Sequence, residues 1–312
     1  MRKITMKEVF SVLSYRGYLR WIPSRTFLKL KYKMYTGKKL NLDNPRTFNE
    51  KLQWLKLYNA DHFNPLYTKL ADKVEAKPIV AEMIGEKYVI PTLGVWDRFD
   101  DIDFDSLPNQ FVLKTNHDSG GVVIVKDKSK LDKAAAKQKL EKTRKINFYW
   151  YGREPQYKDI KPRIFAEQYI SDGGYSLPDY KFHNSEGELE EYKIFCFSGK
   201  AKMVLVCKGT AHGAGRTNDY CDLELNRFPF TSLNPNSTEE LQKPEQLDEL
   251  ICVAEKLAMD LPEVRIDLYV VDGKVYFGEM TFFHNSGFCT FKPDEWDTKL
   301  GKWINLPVTG GK

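Results

Sequence analysis

The chain has 312 residues, 42% hydrophobic and 13% aromatic, with a formal net charge of +5. Such length and apolar content suit two or three compact lobes with real cores, and argue against a disordered chain. No run of eighteen apolar residues could span a bilayer, no leader with a small-residue cleavage site opens the chain, and five cysteines without CxxC spacing indicate neither a disulfide framework nor a zinc site. A reducing cytoplasm is the expected compartment.

The charge is uneven. Residues 1–40 hold eleven Lys or Arg and one acid, a local +10, which leaves −5 for the rest. Aromatic and aliphatic residues such as Phe10, Tyr18, Trp21 and Leu30 are interleaved with that charge. Two readings stand side by side: peripheral attachment to an anionic membrane surface or a lipid-linked acidic substrate, or a helical arm packed on the body with its lysines in water. Nucleic acid is not indicated, because no binding motif accompanies the charge.

Asn44-Pro45-Arg46 marks a turn, and Thr47-Phe-Asn-Glu50 is a capping-box pattern opening a helix through Phe48, Leu52, Leu55 and Tyr58. Another helix is expected near Asp72-Lys73, with Pro78 kinking it or delaying its first turn. Tyr88 to Leu93 reads as a short extended entry. Phe99 to Pro108 is acidic and loop-like, placing a boundary near Leu107-Pro108. Phe111 to Thr115, the turn Asn116 to Gly121 and Val122 to Lys126 read as strand, glycine-bearing turn and strand. A charged helix follows over Leu131 to Arg144, then a strand over Arg163 to Ile170 that ends at Ser171 to Gly174. Tyr192 to Phe197 and Ala201 to Cys207 form a hairpin around Ser198-Gly199. Glu245 to Asp260 is an amphipathic helix through Leu247, Leu250, Ala254 and Leu257, stopped by Pro262.

The last hairpin carries the most chemistry. Val264 to Val271 and Val275 to Glu279 are strand-like, and Asp272-Gly273 is a hairpin signal. Because neighbours along a strand face opposite ways, a plain two-residue turn would leave Asp267 and Glu279 on opposite faces. A three-residue turn with a bulge at Gly273 would gather Arg265, Asp267 and Glu279 on one face, so a metal site requires the bulged turn. Two carboxylates without histidine or cysteine suit Mg²⁺, which prefers oxygen ligands and substrate phosphates. The competing reading is an amphipathic hairpin with solvated charges.

Lys114 lies in an apolar strand before a glycine turn, a position from which a lysine reaches nucleotide phosphates while backbone N–H groups approach them closely. Gly120-Gly121 is not the P-loop pattern, and neither is the second glycine-rich loop, Gly209 to Gly215. Asp100-Asp101-Ile102-Asp103-Phe104-Asp105 contains two DxD triplets, the basis of a rival reading as a nucleotide-sugar glycosyltransferase. The histidines lie apart from any Ser or Cys nucleophile pattern, so no catalytic triad is suggested.

The ordered motifs Asn44 to Tyr58, Ala71-Asp72-Lys73, Ile90 to Trp96, Phe111 to Gly121, Glu191 to Gly199, Arg216 to Tyr220 and Gly278 to Phe282 closely resemble the TupA-like branch of the ATP-grasp superfamily, from about Leu42 onward. The resemblance implies an α+β ATP-grasp fold, two α+β lobes sandwiching ATP, with a mainly helical N-terminal region. It implies ATP and Mg²⁺ as cofactors. Lys114 resembles the phosphate lysine of the central lobe, and Asp118, Ser119, Gly120 and Gly121 the tip of the loop over the phosphates. Glu167, Gln168, Tyr169 and Ile170 resemble the adenine hinge. Lys193 resembles a second phosphate lysine, with Lys181 as an open alternative. Asp267 and Glu279 resemble the Mg²⁺ ligands and Arg265 the phosphate clamp. Thr281 stands where many members have a metal-binding Asn, and Asn285 is a possible substitute. Four segments are expected: a basic arm over 1–42, a pre-ATP-grasp region over 43–108, a central lobe over 109–167 and a C-terminal lobe over 168–312.

The implied chemistry is phosphoryl transfer from ATP to a carboxylate, then attack of an amine on the acyl phosphate. The implied substrates are an acidic sugar, free or lipid-linked, and an amine, in cell-surface polysaccharide synthesis. A membrane-associated non-enzymatic scaffold is the third reading.

Overall fold

The computed structural model describes residues 5–118, 120–170, 191–208 and 216–308. Ser119, Lys181, His183, the Ser171 to Gly174 segment and the Gly209 to Gly215 loop lie outside the described residues. In chain order the elements are α1 (Met6–Tyr15), α2 (Ser24–Thr36), α3 (Phe48–Asp61), α4 (Pro65–Ala71), α5 (Ala76–Ile84), β1 (Thr92–Trp96), β2 (Phe111–Thr115), β3 (Val122–Val125), α6 (Lys133–Arg144), α7 (Tyr149–Gly152), β4 (Ile164–Gln168), β5 (Glu191–Phe197), β6 (Lys200–Lys208), β7 (Thr217–Cys221), α8 (Leu247–Ala258), β8 (Val264–Val271), β9 (Lys274–Thr281) and α9 (Glu295–Gly301). The architecture is α+β.

Local chemistry sets several boundaries. The capping box at α3 is formed: Glu50 N donates to Thr47 Oγ1 at 3.2 Å, and Thr47 N donates to Glu50 Oε2 at 3.1 Å. Pro78 falls in the first turn of α5, where a missing N–H is harmless, so the helix begins at Ala76. Asp132 caps α6 by accepting from Ala135 N at 2.9 Å. The strand expected from Tyr88 begins later, at Thr92. Pro91 precedes it and has no N–H to give the ladder, although its carbonyl accepts from Gln168 N at 3.0 Å.

The contacts divide the chain into two compact units. The first comprises 1–39, 56–79 and 89–170, and holds the antiparallel sheet β1-β4-β2-β3. Phe111 and Leu113 alternate with Val112 and Lys114 along β2, and the first pair enters a core with Phe99, Leu107, Leu140 and Ile164. The boundary expected near Leu107-Pro108 therefore falls inside this unit: Phe99, Ile102 and Leu107 are buried against β2. Within this unit α1 and α2 pack together through Phe10 and Phe27, whose ring centroids are 5.4 Å apart.

The second unit comprises 40–55, 80–88 and 171–312, and holds the sheet β7-β6-β5-β8-β9. Here α8 buries Leu247, Leu250, Val253, Ala254 and Leu257, the stripe its periodicity predicts. Residues early in α3 join this unit, where Asn49 N donates to Asp297 Oδ1 at 3.0 Å and Asn49 Nδ2 to Cys289 O at 3.0 Å. Thus the four expected segments are not the compact units: the basic arm belongs with the first sheet, and residues 40–55 with the second.

Candidate functional site

In the second unit the hairpin β8-β9 closes with Val271 opposite Lys274, a two-residue turn, with Asp272 at φ 49° and Gly273 at φ 70°. Positive φ at both positions is the type I′ turn that matches strand twist. The expected three-residue turn at Gly273 is therefore absent. The irregularity lies further along, between Asp267 and Leu268: Leu268 pairs with Phe277, whereas Asp267 pairs with Glu279, leaving Gly278 as the extra residue. A Cβ at Gly278 would sit 2.8 Å from Tyr269 Cε2 and 3.0 Å from the Asp267 carbonyl oxygen, so glycine suits this bulge. The bulge at Gly278 does what the turn was expected to do. Arg265 faces Thr281 and Asp267 faces Glu279, all on one face, with Lys193 of β5 opposite Asp267 on the other side.

These groups bond closely. Asp267, with a fully buried side chain, accepts from Arg265 Nε on Oδ1 at 2.6 Å and from Arg265 Nη2 on Oδ2 at 2.7 Å. Lys193 Nζ also donates to Asp267 Oδ2, and pairs with Glu191 at 2.6 Å. Arg265 Nη2 reaches Thr281 Oγ1 at 3.0 Å and Glu279 Oε1 at 3.6 Å. Burial acts to lower the Lys193 pKa, but Asp267 and Glu191 outweigh it and hold the pKa above the ordinary lysine value. Arg265 likewise stays charged, burial being overcome by Asp267 and then Glu279.

Behind this face lies a group that sequence reasoning passed over. His284 Nδ1 is 2.7 Å from Arg265 Nη1, and its Nε2 is 3.2 Å from Tyr220 Oη. A guanidinium only donates, so Nδ1 accepts and the proton of the neutral ring sits on Nε2, facing the tyrosine oxygen. Burial, then Arg265 and Lys193, push the His284 pKa well below its ordinary value. His284 thereby fixes the far edge of the Arg265 guanidinium. Asn285, the possible metal ligand, lies with its side-chain amide 3.0 Å from His284 Nε2 and 3.4 Å from Cys289 Sγ, and a proton on Nε2 requires the amide to meet it with its oxygen.

Mg²⁺ fits this face by chemistry. The available donors are oxygens of Asp267, Glu279 and Thr281, and Glu191, Asp267 and Glu279 against Lys193 and Arg265 leave a net charge of −1. Asp267 has three donors on its two oxygens, leaving about one of its roughly four lone-pair positions. Glu279, with its side chain 29% exposed, is the more accessible carboxylate. Among the described residues no cluster of three or more His, Cys, Asp or Glu forms a metal-binding group.

The first unit carries a second charged cluster. Val112 on β2 pairs with Glu167 on β4, and Lys114 lies two residues along the same face, opposite the apolar core. Glu167, 5% exposed, bonds Lys114 through Oε2 and Lys77 of α5 through Oε1, the latter at 2.6 Å. Burial would raise the Glu167 pKa, but Lys114 and then Lys77 bring it below the ordinary glutamate value. Lys77 also donates to Ile90 O at 2.7 Å and Thr92 Oγ1 at 3.0 Å, so its three protons are committed. Lys114, with a side chain 22% exposed against 11% for Lys77, is the cation better placed to meet a ligand. Lys77 was missed because its partner lies ninety residues away.

Of the hinge residues, Glu167 and Gln168 end β4, with Tyr169 and Ile170 following. Gln168 uses its backbone N–H on Pro91 O, which removes that donor from adenine recognition. Asp118 does not point outward as a loop-tip ligand. Its Oδ1 accepts from Gly121 N at 3.1 Å and from the Thr115 hydroxyl, and its carbonyl accepts from Lys73 Nζ at 2.6 Å. The Asn116 amide donates to Asp72 Oδ2 at 2.7 Å, and Asp72 pairs with Arg163 at 2.9 Å. The motifs around Asp72-Lys73 and Asn116-Asp118 therefore belong together because they bond each other. Gly121 is packed where a Cβ would lie 1.9 Å from Thr115 Oγ1, while Gly120 has open space around it.

The acidic stretch that contains the DxD triplets has duties within its own unit instead. Asp100 pairs with Lys137 at 2.7 Å, Asp101 with Arg98 at 3.0 Å, and Asp103 Oδ1 accepts from Asp105 N at 3.1 Å.

Residues 50–305 match the family described as TupA-like ATPgrasp. No curated protein matches the sequence. Solved structures with similar folds include D-alanine–D-alanine ligase from Bacillus anthracis complexed with ATP, at 18% identity and TM-score 0.40, covering 73% of this chain and 62% of that one. The ADP complex of purK, N5-carboxyaminoimidazole ribonucleotide synthetase, shows 13% identity and TM-score 0.42, covering 75% of this chain and 52% of the other. D-alanine–D-alanine ligase from Helicobacter pylori shows 14% identity and TM-score 0.40, covering 86% and 69%. The chain thus spans less than two thirds of the length of the first two.

Proposed function

This chain belongs to the TupA-like ATPgrasp family, and we propose that it is an ATP-dependent carboxylate-amine ligase. The observation that carries this reading is the gathering of Arg265, Asp267, Glu279, Thr281 and Lys193 through the Gly278 bulge. In the proposed reaction a substrate carboxylate oxygen attacks the γ-phosphorus of ATP, the bond to the β–γ bridging oxygen breaks, and ADP leaves. An amine nitrogen then attacks the acyl phosphate, inorganic phosphate departs, and the amine loses its extra proton to water. Arg265 and Lys193 offset the repulsion between anions. When bound, Mg²⁺ supplies charge neutralisation at the phosphates, with Glu279, Asp267 and Thr281 as its holders.

Direct attack also agrees with three of the buried thiols. Burial pushes Cys196, Cys221 and Cys289 up to about 12, far from the thiolate that covalent catalysis needs. Membership of this family favours an acidic sugar and an amino acid or other amine as substrates, used in cell-surface polysaccharide synthesis in the cytoplasm. No helix among the described residues is long and apolar enough to cross a membrane.

The test is an ADP-release screen of uronic acids against amines with Mg·ATP, the products read by mass spectrometry. Amide formation that needs both substrates and falls at least a hundredfold in Glu279→Ala and Lys114→Ala supports the reading. Uridine-diphosphate-sugar turnover without ATP dependence would overturn it.

A further inference from the structure

Helix α1 is built inside out for a water-facing element. Its ends are in order: Thr5 and Glu8 form a capping box, Glu8 N donating to Thr5 Oγ1 at 3.2 Å and Thr5 N to Glu8 Oε2 at 2.9 Å. Yet Met6, Val9 and Val12 are 82%, 46% and 52% exposed, while Ser14 is fully buried, its hydroxyl donating to Phe10 O at 2.7 Å. At 100° per residue, Met6, Val9, Val12 and the exposed Arg16 fall within an arc of about 120°, and Ser14 lies on the other side.

The loop after α1 continues this surface. Tyr18 is 61% and Trp21 76% exposed. That exposure is not fraying, because the loop is pinned from inside the unit: Arg153 Nη2 donates to Leu19 O at 2.8 Å and Ile22 O at 3.1 Å. Tyr15 meets Phe148 and Tyr151 edge-on, both at 6.2 Å, and the buried Lys31 donates to Tyr151 O while lying 3.4 Å from that ring's centroid. A fixed backbone therefore presents a tryptophan and a tyrosine to the outside. Basic residues accompany them: Arg16 and Arg20 in the same stretch, and Lys29 and Lys33, four residues apart on the outward side of α2, are all exposed.

We propose that α1, its following loop and α2 form a docking face for an anionic lipid bilayer, with Met6, Val9, Val12, Tyr18 and Trp21 entering the interface and the arginines and lysines meeting acidic headgroups. Charge complementarity selects this occupant. Residues 1–40 carry a net +10, whereas residues 41–312 carry −5, so a second copy would bring +10 against +10 at this face. Amphipathic aromatic residues and interleaved Arg and Lys are the composition of an interfacial element. Such docking would hold the chain beside substrates displayed on a membrane.

The test is flotation of the full chain with vesicles of phosphatidylglycerol and phosphatidylcholine, beside phosphatidylcholine alone. Binding is expected on the anionic vesicles, with loss of most of it in 0.5 M salt, where the Debye length is about 4 Å. Lys29→Gln with Lys33→Gln should weaken binding about 25-fold, at about fivefold per basic residue. Val12→Glu with Trp21→Glu should abolish it, with unchanged circular dichroism. Absence of binding to anionic vesicles would overturn the proposal, as would equal binding by the lysine variant, which alters exposed side chains alone. Light scattering in which Val12→Glu with Trp21→Glu turns a dimer into a monomer, without vesicle binding by the wild type, would also overturn it and assign the face to a second copy.

Discussion

Asp267→Asn separates two meanings of the same carboxylate. If Asp267 were merely one of two acids awaiting a metal, neutralising it without Mg²⁺ would relieve repulsion and stabilise the fold. The bonding says the opposite. Asp267 is fully buried and accepts from Arg265 at 2.6 and 2.7 Å and from Lys193, so the amide would set an N–H₂ against one of two cationic donors. Lys193 would keep Glu191, at 2.6 Å, and Arg265 would keep Glu279, at 3.6 Å. Breaking such a buried network from one side costs about 3–5 kcal/mol. Urea unfolding in EDTA, followed by far-UV circular dichroism, measures this, with Asp101→Asn as an exposed ion-pair control expected within about 1 kcal/mol of wild type. Adding Lys193→Met should restore part of the loss, since it removes a buried cation that has lost one of its two carboxylates. A destabilisation below about 1 kcal/mol, or a gain, would refute the ion-pair account.

His284 is neutral in the fold with its pKa well below the ordinary value, so from pH 6.5 down to 5 the unfolded chain takes up a proton that the folded chain refuses. Stability should fall on acidification by up to about 1.4 kcal/mol per pH unit from this group, and His284→Gln should flatten that window in thermal melts relative to wild type. Lys56, fully buried and donating to Gly152 O at 2.9 Å, is lowered by burial to about 8. Its unfolded form holds more protons between about 8 and 10.5, so stability from this group should rise with pH there, and an amine titrating near 10.5 by NMR would contradict the reasoning. Lys77→Met should destabilise more than Lys114→Met, because Lys77 also satisfies Ile90 O and Thr92 Oγ1, whereas calorimetry should show the larger loss of ATP affinity in Lys114→Met; the reverse order would reject the division of roles. Gly121→Ala places a Cβ 1.9 Å from Thr115 Oγ1 and should cost about 1–3 kcal/mol, against little at Gly120→Ala, compared by melting temperature.

Helix positions were legible where a periodic stripe was present: α3, with its Thr47–Glu50 box, and α8, whose leucines mark it although no side chain caps its start. Most strands were legible from branched and aromatic runs, although β7, with its polar Thr-Asn-Asp start, was not, and the Ser198-Gly199 and Asp272-Gly273 turns were legible from their residue types. The extended entry expected over Tyr88 to Leu93 pairs as a strand only from Thr92, because Pro91 has no N–H to give the ladder. Charged partners were less legible. The family resemblance assigns Glu167 to a hinge through its backbone groups; that its side chain bonds Lys77 and Lys114 is decided by partners distant in the chain.

The sequence by itself determined the periodic helices α3, α6 and α8, most of the strands, the glycine-bearing turns and the identity of the charged side chains, because these depend on residue type and local spacing. Tertiary structure decided which charges meet. A one-residue bulge controls the face on which every later side chain of a strand lies, and the lone Gly278 in Tyr-Phe-Gly-Glu is only a permissive local sign of it; the ring of Tyr269 and the carbonyl of Asp267 across the ladder fix it at Gly278. The same holds for His284, whose tautomer is set by a guanidinium nineteen residues away and a tyrosine on another strand.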